Sequence, residues 1–222
     1  MTIANESWMR FQRYMLQFDK INLALDISKV DFENEDFELL RERAINALKL
    51  MQQLEKGEIA NPDENRMVGH YWLRNSDLAP SKELKTAIDG TLDQINQFVQ
   101  KVHSGDVEGV HGRFEKILII GIGGSALGPQ FVSASLEKPG LDPIKPFFFD
   151  NTDPDGMDQV LGHLGESLGK TLSIVISKSG GTKETRNGML EAKQAYQKAG
   201  VDFSRHVVAI TSEGSQLDKI AK

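Results

Sequence analysis

Two apolar runs in the second half of the chain, each followed at once by a glycine- and hydroxyl-rich turn, constrain the fold most. The first run and turn cover Lys116–Pro129, and the second cover Leu172–Thr185. Each pattern indicates a buried strand, a tight turn and the start of a helix. Because the start of a helix presents unpaired backbone N–H groups and a positive dipole end, each turn predicts a binding site for an anion such as phosphate.

Apolar runs of strand length alternate with helical patterns throughout this half. The predicted strands lie near residues 115–121, 146–150, 171–177 and 206–211, and the predicted helices start near Ser125, Pro154, Thr182 and Ser215. This alternation is typical of an α/β fold with a doubly wound parallel sheet. In the flavodoxin-like strand order 2-1-3-4, the first and third strands are neighbours at the switch point where ligands bind. Both turns would then border one pocket.

The first half of the chain has the three- and four-residue apolar spacing of helices. One helix is predicted over Trp8–Phe18 and a second over Leu40–Leu54, which ends before Gly57. A third is predicted over Leu84–Val102, with Ser81 as its N-cap. The sequence therefore predicts a helical region ahead of the parallel sheet.

The pattern changes near Arg113, which predicts a helical N-terminal region over residues 1–112 and a sheet domain over residues 113–222. The candidate linker is His103–Gly112. A helix is predicted to begin near Ser215, and no fifth strand follows it. We therefore expect a domain that is truncated at its C-terminal end, and a chain that is a fragment of a longer protein.

Composition excludes several classes of function. The chain has no cysteine, which rules out disulfides, thiolate nucleophiles and cysteine metal sites and fits a cytoplasmic location. Its five histidines are scattered with no H-E-x-x-H pattern, so we expect no metal site. A formal net charge of -6 and the absence of a basic run argue against nucleic acid as a partner. No apolar stretch approaches the roughly 20 residues of a membrane helix, and Met1–Arg10 lacks the apolar core of a signal peptide.

Glycines and hydroxyls are the candidate phosphate ligands. The glycines that let the backbone approach a ligand closely are Gly123, Gly124, Gly180 and Gly181. The hydroxyl donors are Ser125, Ser177, Ser179 and Thr182. A hydrogen bond to a charged group contributes about 1.5–3 kcal/mol. Three or four such bonds could hold a phosphate without arginine.

Two alternatives remain open at this point. Both turns could be ordinary strand–helix connections in which serine and threonine cap a helix. The segment Gly121–Ala126 also fits the dinucleotide pattern G-x-G-x-x-A, and Asp150 ends the second strand where a ribose-binding acid would lie. That second alternative gives no role to Ser177–Thr182. The nucleotide P-loop pattern G-x-x-x-x-G-K-S/T and the nucleophile elbow G-x-S-x-G are both absent.

Three segments carry a resemblance to a known family. Ser177–Thr182 resembles the S-x-S-G-x-T signature of sugar-isomerase (SIS) domains, which bind phosphosugars. Gly121–Pro129 together with Ser177–Thr185 resembles the glucose-6-phosphate isomerase (phosphoglucose isomerase) family more closely. Glu64–Arg74 is similar to that family's E-x-R-x-V-x-H-x-x-L-R segment. The three segments follow the family's order along the chain.

The resemblance implies a set of site residues. Gly124 and Ser125 match the family's first substrate-binding turn. Its phosphate loop is matched by Ser177, Lys178, Ser179 and Thr182, and the possible supporting residues are Gly123, Gly180, Gly181 and Glu184. Lys178 could counter the substrate charge or be a solvated surface lysine, and an acid such as Glu184 is also favoured by the helix dipole alone. In two places the chain departs from many members: Ala126 replaces an aspartate, and Ser179–Gly181 replaces Thr-Phe-Thr.

The resemblance also implies an activity, the interconversion of glucose 6-phosphate and fructose 6-phosphate in glycolysis and gluconeogenesis, without a cofactor and in a homodimer. The family moves the proton with a glutamate base, assisted by a histidine, a lysine and an arginine. These groups belong to later segments of the family's chain with no counterpart here. We therefore expect no catalytic residue in this chain and no activity from the 222-residue polypeptide alone. Two alternatives remain: a non-catalytic phosphosugar-binding module and an NAD-binding module.

Overall fold

The structure, a computed structural model, describes residues 3–138 and 140–222. The chain divides into two compact units, Met1–Gly90 and Thr91–Lys222. Across the described residues, no helix is both long enough and apolar enough to cross a membrane.

The first unit combines helices with two short hairpins. Its helices are α1 (Ile3–Tyr14), α2 (Asn34–Glu55), α3 (His70–Arg74) and the beginning of α4 (Lys82–Ser104). Its antiparallel strand pairs are β1 (Met15–Phe18) with β2 (Leu23–Asp26), and β3 (Ile59–Asn61) with β4 (Arg66–Met67). Short 3-10 turns lie at Asp19–Ile21 and Ser76–Leu78.

The prediction of one helix over Trp8–Phe18 is wrong in its second part. The helix ends at Tyr14, and Met15 and Phe18 instead pair with Asp26 and Leu23 in a hairpin. Asn22, at φ +50°, adopts the left-handed conformation that lets the chain reverse between the two strands. The apolar spacing fits a helix, but the backbone hydrogen bonds of residues 15–18 go to a downstream strand.

The second and third helix predictions are confirmed. Helix α2 ends at Glu55, and Gly57 follows it at φ +94°. Helix α4 begins at Lys82, and the Ser81 hydroxyl accepts a hydrogen bond from the Leu84 N–H at 3.2 Å, as an N-cap does.

The second unit is built on a four-stranded, wholly parallel sheet. The strands are β5 (Lys116–Ile120), β6 (Lys145–Phe149), β7 (Thr171–Ile176) and β8 (Val207–Ile210), in the order β6-β5-β7-β8. The helices are α5 (Gly124–Leu136), α6 (Pro154–Leu164), α7 (Lys183–Lys198) and α8 (Gln216–Ala221), and 3-10 turns lie at Gly165–Lys170 and Phe203–His206. These positions and the 2-1-3-4 order confirm the predicted doubly wound sheet.

Successive side chains of a strand point to opposite faces, and the sheet accordingly has two apolar clusters. The larger one surrounds Leu118, Ile120 and Val175 and includes side chains of α6 and α7. The smaller one joins Leu172 to Phe114 and to Val102 of α4. Apolar burial on both faces fixes the strand register, and with it the edge at which the predicted turns emerge.

Candidate functional site: two turns at the carboxyl edge of the sheet

Both predicted turns leave the same edge of the sheet. Strands β5 and β7 are parallel neighbours, and Ile120 lies opposite Val175. The first turn begins at Gly121, directly after Ile120, and the second begins at Ser177, two residues after Val175. The first turn leads into α5 and the second leads into α7. The strand order thus brings the two turns to one carboxyl edge, where ligands of open α/β sheets bind.

The second turn is closed by its own hydroxyl groups. The Ser177 and Thr182 side-chain oxygens lie 3.0 Å apart, and the Ser177 oxygen also accepts the Gly180 N–H at 3.1 Å. The Ser179 oxygen accepts the Gly181 N–H at 3.2 Å. Since Thr182 is the N-cap residue of α7, two hydroxyls meet at a helix N-terminus, where the dipole favours negative charge.

Gly180 is required by the shape of this turn. Its φ is +68°, and a methyl group there would lie 2.6 Å from the Leu217 amide nitrogen and 2.7 Å from the Ser215 hydroxyl. Gly181 differs, because a methyl group there would come no nearer than 3.6 Å to the Gln216 side-chain oxygen.

The connection between β8 and α8 braces the second turn from the side. The Ser177 N–H donates to the Ile210 carbonyl at 3.0 Å, and the Ser212 N–H donates to the Lys178 carbonyl at 3.2 Å. Sequence reasoning missed this support. The predicted strand order could have revealed this support. Because β8 lies next to β7, the turn after β8 must lie beside the turn after β7.

Thr185 is a second residue that sequence reasoning left out of the candidate list. Its side chain is 4% exposed, and its hydroxyl has no hydrogen-bond partner among the described residues. It lines a cavity of about 50 Å³ together with Ser177, Gly180 and Thr182. The spacing could have revealed it, because residues three apart on a helix share a face, which places Thr185 beneath Thr182.

The charged members of the second turn are on the surface. Lys178 and Glu184 are exposed, as is Ser179. Glu184 lies in the first turn of α7, where an acid stabilises the helix. The structure therefore presents Ser177 and Thr182 as the inner groups of the turn and these three as its rim.

The first turn is held by backbone hydrogen bonds. Gly123 has φ +56° at the N-cap of α5, a position that uses no side-chain cap. The Ser125 N–H donates to the Ile122 carbonyl at 3.1 Å, and the Ala126 N–H donates to the Gly123 carbonyl at 3.0 Å. Gly124 is exposed and Ser125 is half-buried. Both reach the shared edge of the sheet, although in the described chain neither lines the cavity beside Thr185.

The acid that a dinucleotide site would need is already engaged. One Asp150 side-chain oxygen accepts the Gln130 side-chain amide at 2.7 Å, and the other accepts the Asn151 side-chain amide at 2.8 Å. Asp150 is thus held by two neighbouring amides, and each of its oxygens keeps a second lone pair as an acceptor.

The third segment of the resemblance, Glu64–Arg74, lies in the first unit. The Arg66 guanidinium is 3.4 Å from the Glu64 carboxylate, and both side chains are largely exposed. Trp72 is buried and its indole N–H donates to the Glu55 carbonyl at 2.9 Å. Over residues 3–138 and 140–222, no group of three or more histidine, aspartate or glutamate side chains is placed to hold a metal ion.

These features define a class: a doubly wound α/β protein whose two hydroxyl- and glycine-rich turns share the carboxyl edge of the sheet. Comparison with known proteins identifies a family within this class. The model of the phosphoglucose isomerase family matches residues 26–221, and the chain belongs to that family.

Relatives and solved structures agree with this assignment. The chain is 55% identical over 221 residues to glucose-6-phosphate isomerase of Geobacter sulfurreducens, covering 99% of this chain and 42% of that protein. It is 54% identical over 217 residues to the protein of the same name from Geotalea daltonii, covering 97% and 41%. A crystal structure of a glucose-6-phosphate isomerase from Chlamydia trachomatis superposes with a TM-score of 0.77 at 27% identity, over 95% of this chain and 41% of that one. The chain thus spans about two fifths of the length of the curated relatives it matches.

Proposed function

We propose that this chain supplies the phosphate-binding part of an enzyme that interconverts glucose 6-phosphate and fructose 6-phosphate. The observation that carries the proposal is the pair of hydroxyls, Ser177 and Thr182, held 3.0 Å apart at the N-terminus of α7. The relatives that cover almost the whole chain are named for this reaction.

In this proposal the second turn binds the terminal phosphate of the sugar. The hydroxyls of Ser177 and Thr182 donate hydrogen bonds to the phosphate. The first N–H groups of α7, which have no partner within the helix, donate to it beside them. Thr185, buried with an unused hydroxyl, lies one helical turn below and is available as a further donor. Lys178 and Ser179 close the rim of the site.

The first turn then orients the sugar. Gly124 and Ser125 begin α5 at the same sheet edge, with Gly123 providing the turn. Gly180 and Gly181 carry no side chain, so the backbone of the second turn can lie close to the ligand. No cofactor is needed, since the reaction moves a proton between two carbons of the substrate, which is the task of a positioned general base.

The base itself is assigned to no residue of this chain. Glu184, the carboxylate nearest the second turn in sequence, is exposed on the first turn of α7, where it favours the helix. We therefore propose that the 222-residue polypeptide binds sugar phosphates but does not turn them over. Measurable isomerisation by the purified chain would contradict this part of the proposal.

The setting of the whole protein is also a proposal. We propose a cytoplasmic homodimer that binds neither nucleic acid nor membranes, in which residues 1–112 form the helical region and residues 113–222 the sugar-isomerase domain. The absence of cysteine and the net charge of -6 support the location and the lack of nucleic acid.

A titration followed by NMR tests the binding role. The purified chain is titrated with glucose 6-phosphate, with glucose and with NAD. We expect the backbone signals of Gly124, Ser125, Ser177 and Thr182 to move with the sugar phosphate only. Shifts with NAD alone would favour a dinucleotide site, and equal shifts with glucose would contradict phosphate recognition.

A further inference from the structure

His206 is a fully buried histidine with no place in the proposed binding site. It ends the 3-10 turn before β8, at the edge of the sheet opposite the two turns, and its exposure is 0%. Its ring packs against Phe114 and Tyr196, with ring centroids 5.6 Å and 5.3 Å away. A buried ionisable ring remains only where both of its nitrogens have hydrogen-bond partners.

The two partners fix the tautomer of the ring. The Val110 backbone N–H can only donate, so the His206 Nε2 atom, 3.0 Å away, must accept. The Thr171 carbonyl can only accept, so the Nδ1 atom, 2.9 Å away, must carry the proton. His206 is therefore neutral here, and a second proton would place two donors face to face at Val110.

This hydrogen bond fastens the segment Gly109–Gly112, which connects α4 to β5, against the sheet. The His111 N–H donates to the Gly169 carbonyl at 3.0 Å, and Gly109 and Gly112 bond to each other. A methyl group at Gly109 would collide with the Gly169 carbonyl and the His206 ring. The last part of the predicted linker is thus packed tightly within the second unit, with His206 as its side-chain anchor.

The surroundings of His206 oppose its protonation. Burial lowers the pKa of His206, its hydrogen bond to the Thr171 carbonyl raises it, the neighbouring Arg205 and His111 side chains lower it, and Asp202 raises it. Tyr196, on α7, faces the same carbonyl and donates to it at 2.8 Å. The neutral ring is the state that this environment favours.

We propose that His206 is a pH-sensitive clamp: in its neutral form it holds Gly109–Gly112 on the sheet, and its protonation releases the segment. The sign follows from linkage. In the open state the ring regains its ordinary pKa of about 6.5, so the open state binds more protons than the closed state as the pH falls. The open population should rise by about tenfold per pH unit below that value until the closed ring is itself protonated.

Hydrogen exchange of the chain between pH 7.5 and pH 5 tests the clamp. After correction for intrinsic exchange rates, we expect protection of the Val110 and His111 amides to fall by up to about tenfold per pH unit below pH 6.5. Protection that stays constant across this range would overturn the proposal.

Two variants compare His206 with an exposed histidine, His163. In His206→Gln the side-chain amide can donate to Thr171 and accept from Val110 without titrating, so protection should lose its pH dependence. His163→Gln, at an exposed site on α6, should keep the wild-type dependence. An unchanged pH dependence in His206→Gln would overturn the clamp.

Should that variant fail to fold, the NMR signals of the wild-type His206 ring decide. A His206 titration near pH 6.5 with no accompanying shift of the Val110 amide signal also overturns the clamp.

Discussion

The side-chain oxygens of Ser177 and Thr182 lie 3.0 Å apart, so one hydroxyl donates its proton to the other. The Ser177 oxygen also accepts the Gly180 N–H, which fixes its position. A phosphate needs only that these hydroxyl protons rotate toward it, because the oxygen atoms are already in place. The turn is therefore preorganised, and little side-chain ordering opposes binding.

Removing one hydroxyl of this pair should weaken binding of glucose 6-phosphate. Thr182→Val keeps the β-branched shape and deletes a donor worth about 1.5–3 kcal/mol to a charged ligand, so Kd should rise by roughly ten- to a hundredfold. Isothermal titration calorimetry measures the change. Thr86→Val, at an exposed site on α4, is the matched control and should leave Kd unchanged. Equal affinity in wild type and Thr182→Val would remove this residue from the site.

Replacing Thr185 by valine should stabilise the folded protein but weaken its binding of glucose 6-phosphate. Because its buried hydroxyl has no partner, Thr185→Val should raise the free energy of unfolding by about 1 kcal/mol while it weakens binding of glucose 6-phosphate. Urea denaturation and calorimetry measure the two effects. Thr171→Val is the contrast, since that buried hydroxyl donates to the Ser167 carbonyl at 2.8 Å and its loss should cost about 1 kcal/mol. A destabilised Thr185→Val would show that its hydroxyl already has a partner.

The sheet could be predicted from the sequence because its strands are short apolar runs. Two of these strands, β5 and β7, are each followed by a glycine-rich turn. Thr171–Ile176 is buried along most of its length, and Lys116–Ile120 is buried on one face and half-buried on the other, so both runs are apolar enough to indicate a covered strand. The strand order then places Gly124 and Thr182 at one edge.

The features that the sequence did not reveal depend on contacts between distant residues. Met15 and Phe18 have helical spacing, yet a hairpin partner downstream takes their hydrogen bonds. The role of Gly180 depends on Ser215 and Leu217, more than thirty positions away. The buried hydroxyl of Thr185 is notable because no hydrogen-bond partner for it lies among the described residues. Such relationships arise from strand pairing and packing between distant segments, which periodicity alone does not describe.

Gly180 and Gly181 should differ sharply in their tolerance of a side chain. Gly180→Ala forces an alanine to φ +68° and drives its methyl group into the backbone of α8, which should cost about 1–3 kcal/mol in unfolding free energy. It should also distort the turn and weaken binding of glucose 6-phosphate. Gly181→Ala meets no atom closer than 3.6 Å and should change stability by less than about 0.5 kcal/mol. Urea denaturation compares the two, and equal costs would contradict the close approach to α8.

Tyr196 should make the protein sensitive to alkali. Its hydroxyl is buried and donates to the Thr171 carbonyl at 2.8 Å, and burial raises the pKa of Tyr196 to about 12. Since an unfolded tyrosine ionises near pH 10, this group contributes stability that is complete below pH 10 and is lost as the pH rises toward 12. The loss should reach about 1.4 kcal/mol per pH unit over that interval.

Urea denaturation of the wild type and Tyr196→Phe between pH 9 and pH 11.5 measures this effect. The variant is expected to be less stable at neutral pH, because it lacks the hydrogen bond to Thr171, and to lose less stability as the pH rises. Tyr71→Phe, whose hydroxyl donates to the Met51 sulfur at 3.9 Å, should follow the wild-type curve. If Tyr196→Phe has the same slope as the wild type above pH 10, the buried phenol ionises as readily in the folded protein as in the unfolded chain. Burial would then not raise the pKa of Tyr196 in the folded protein.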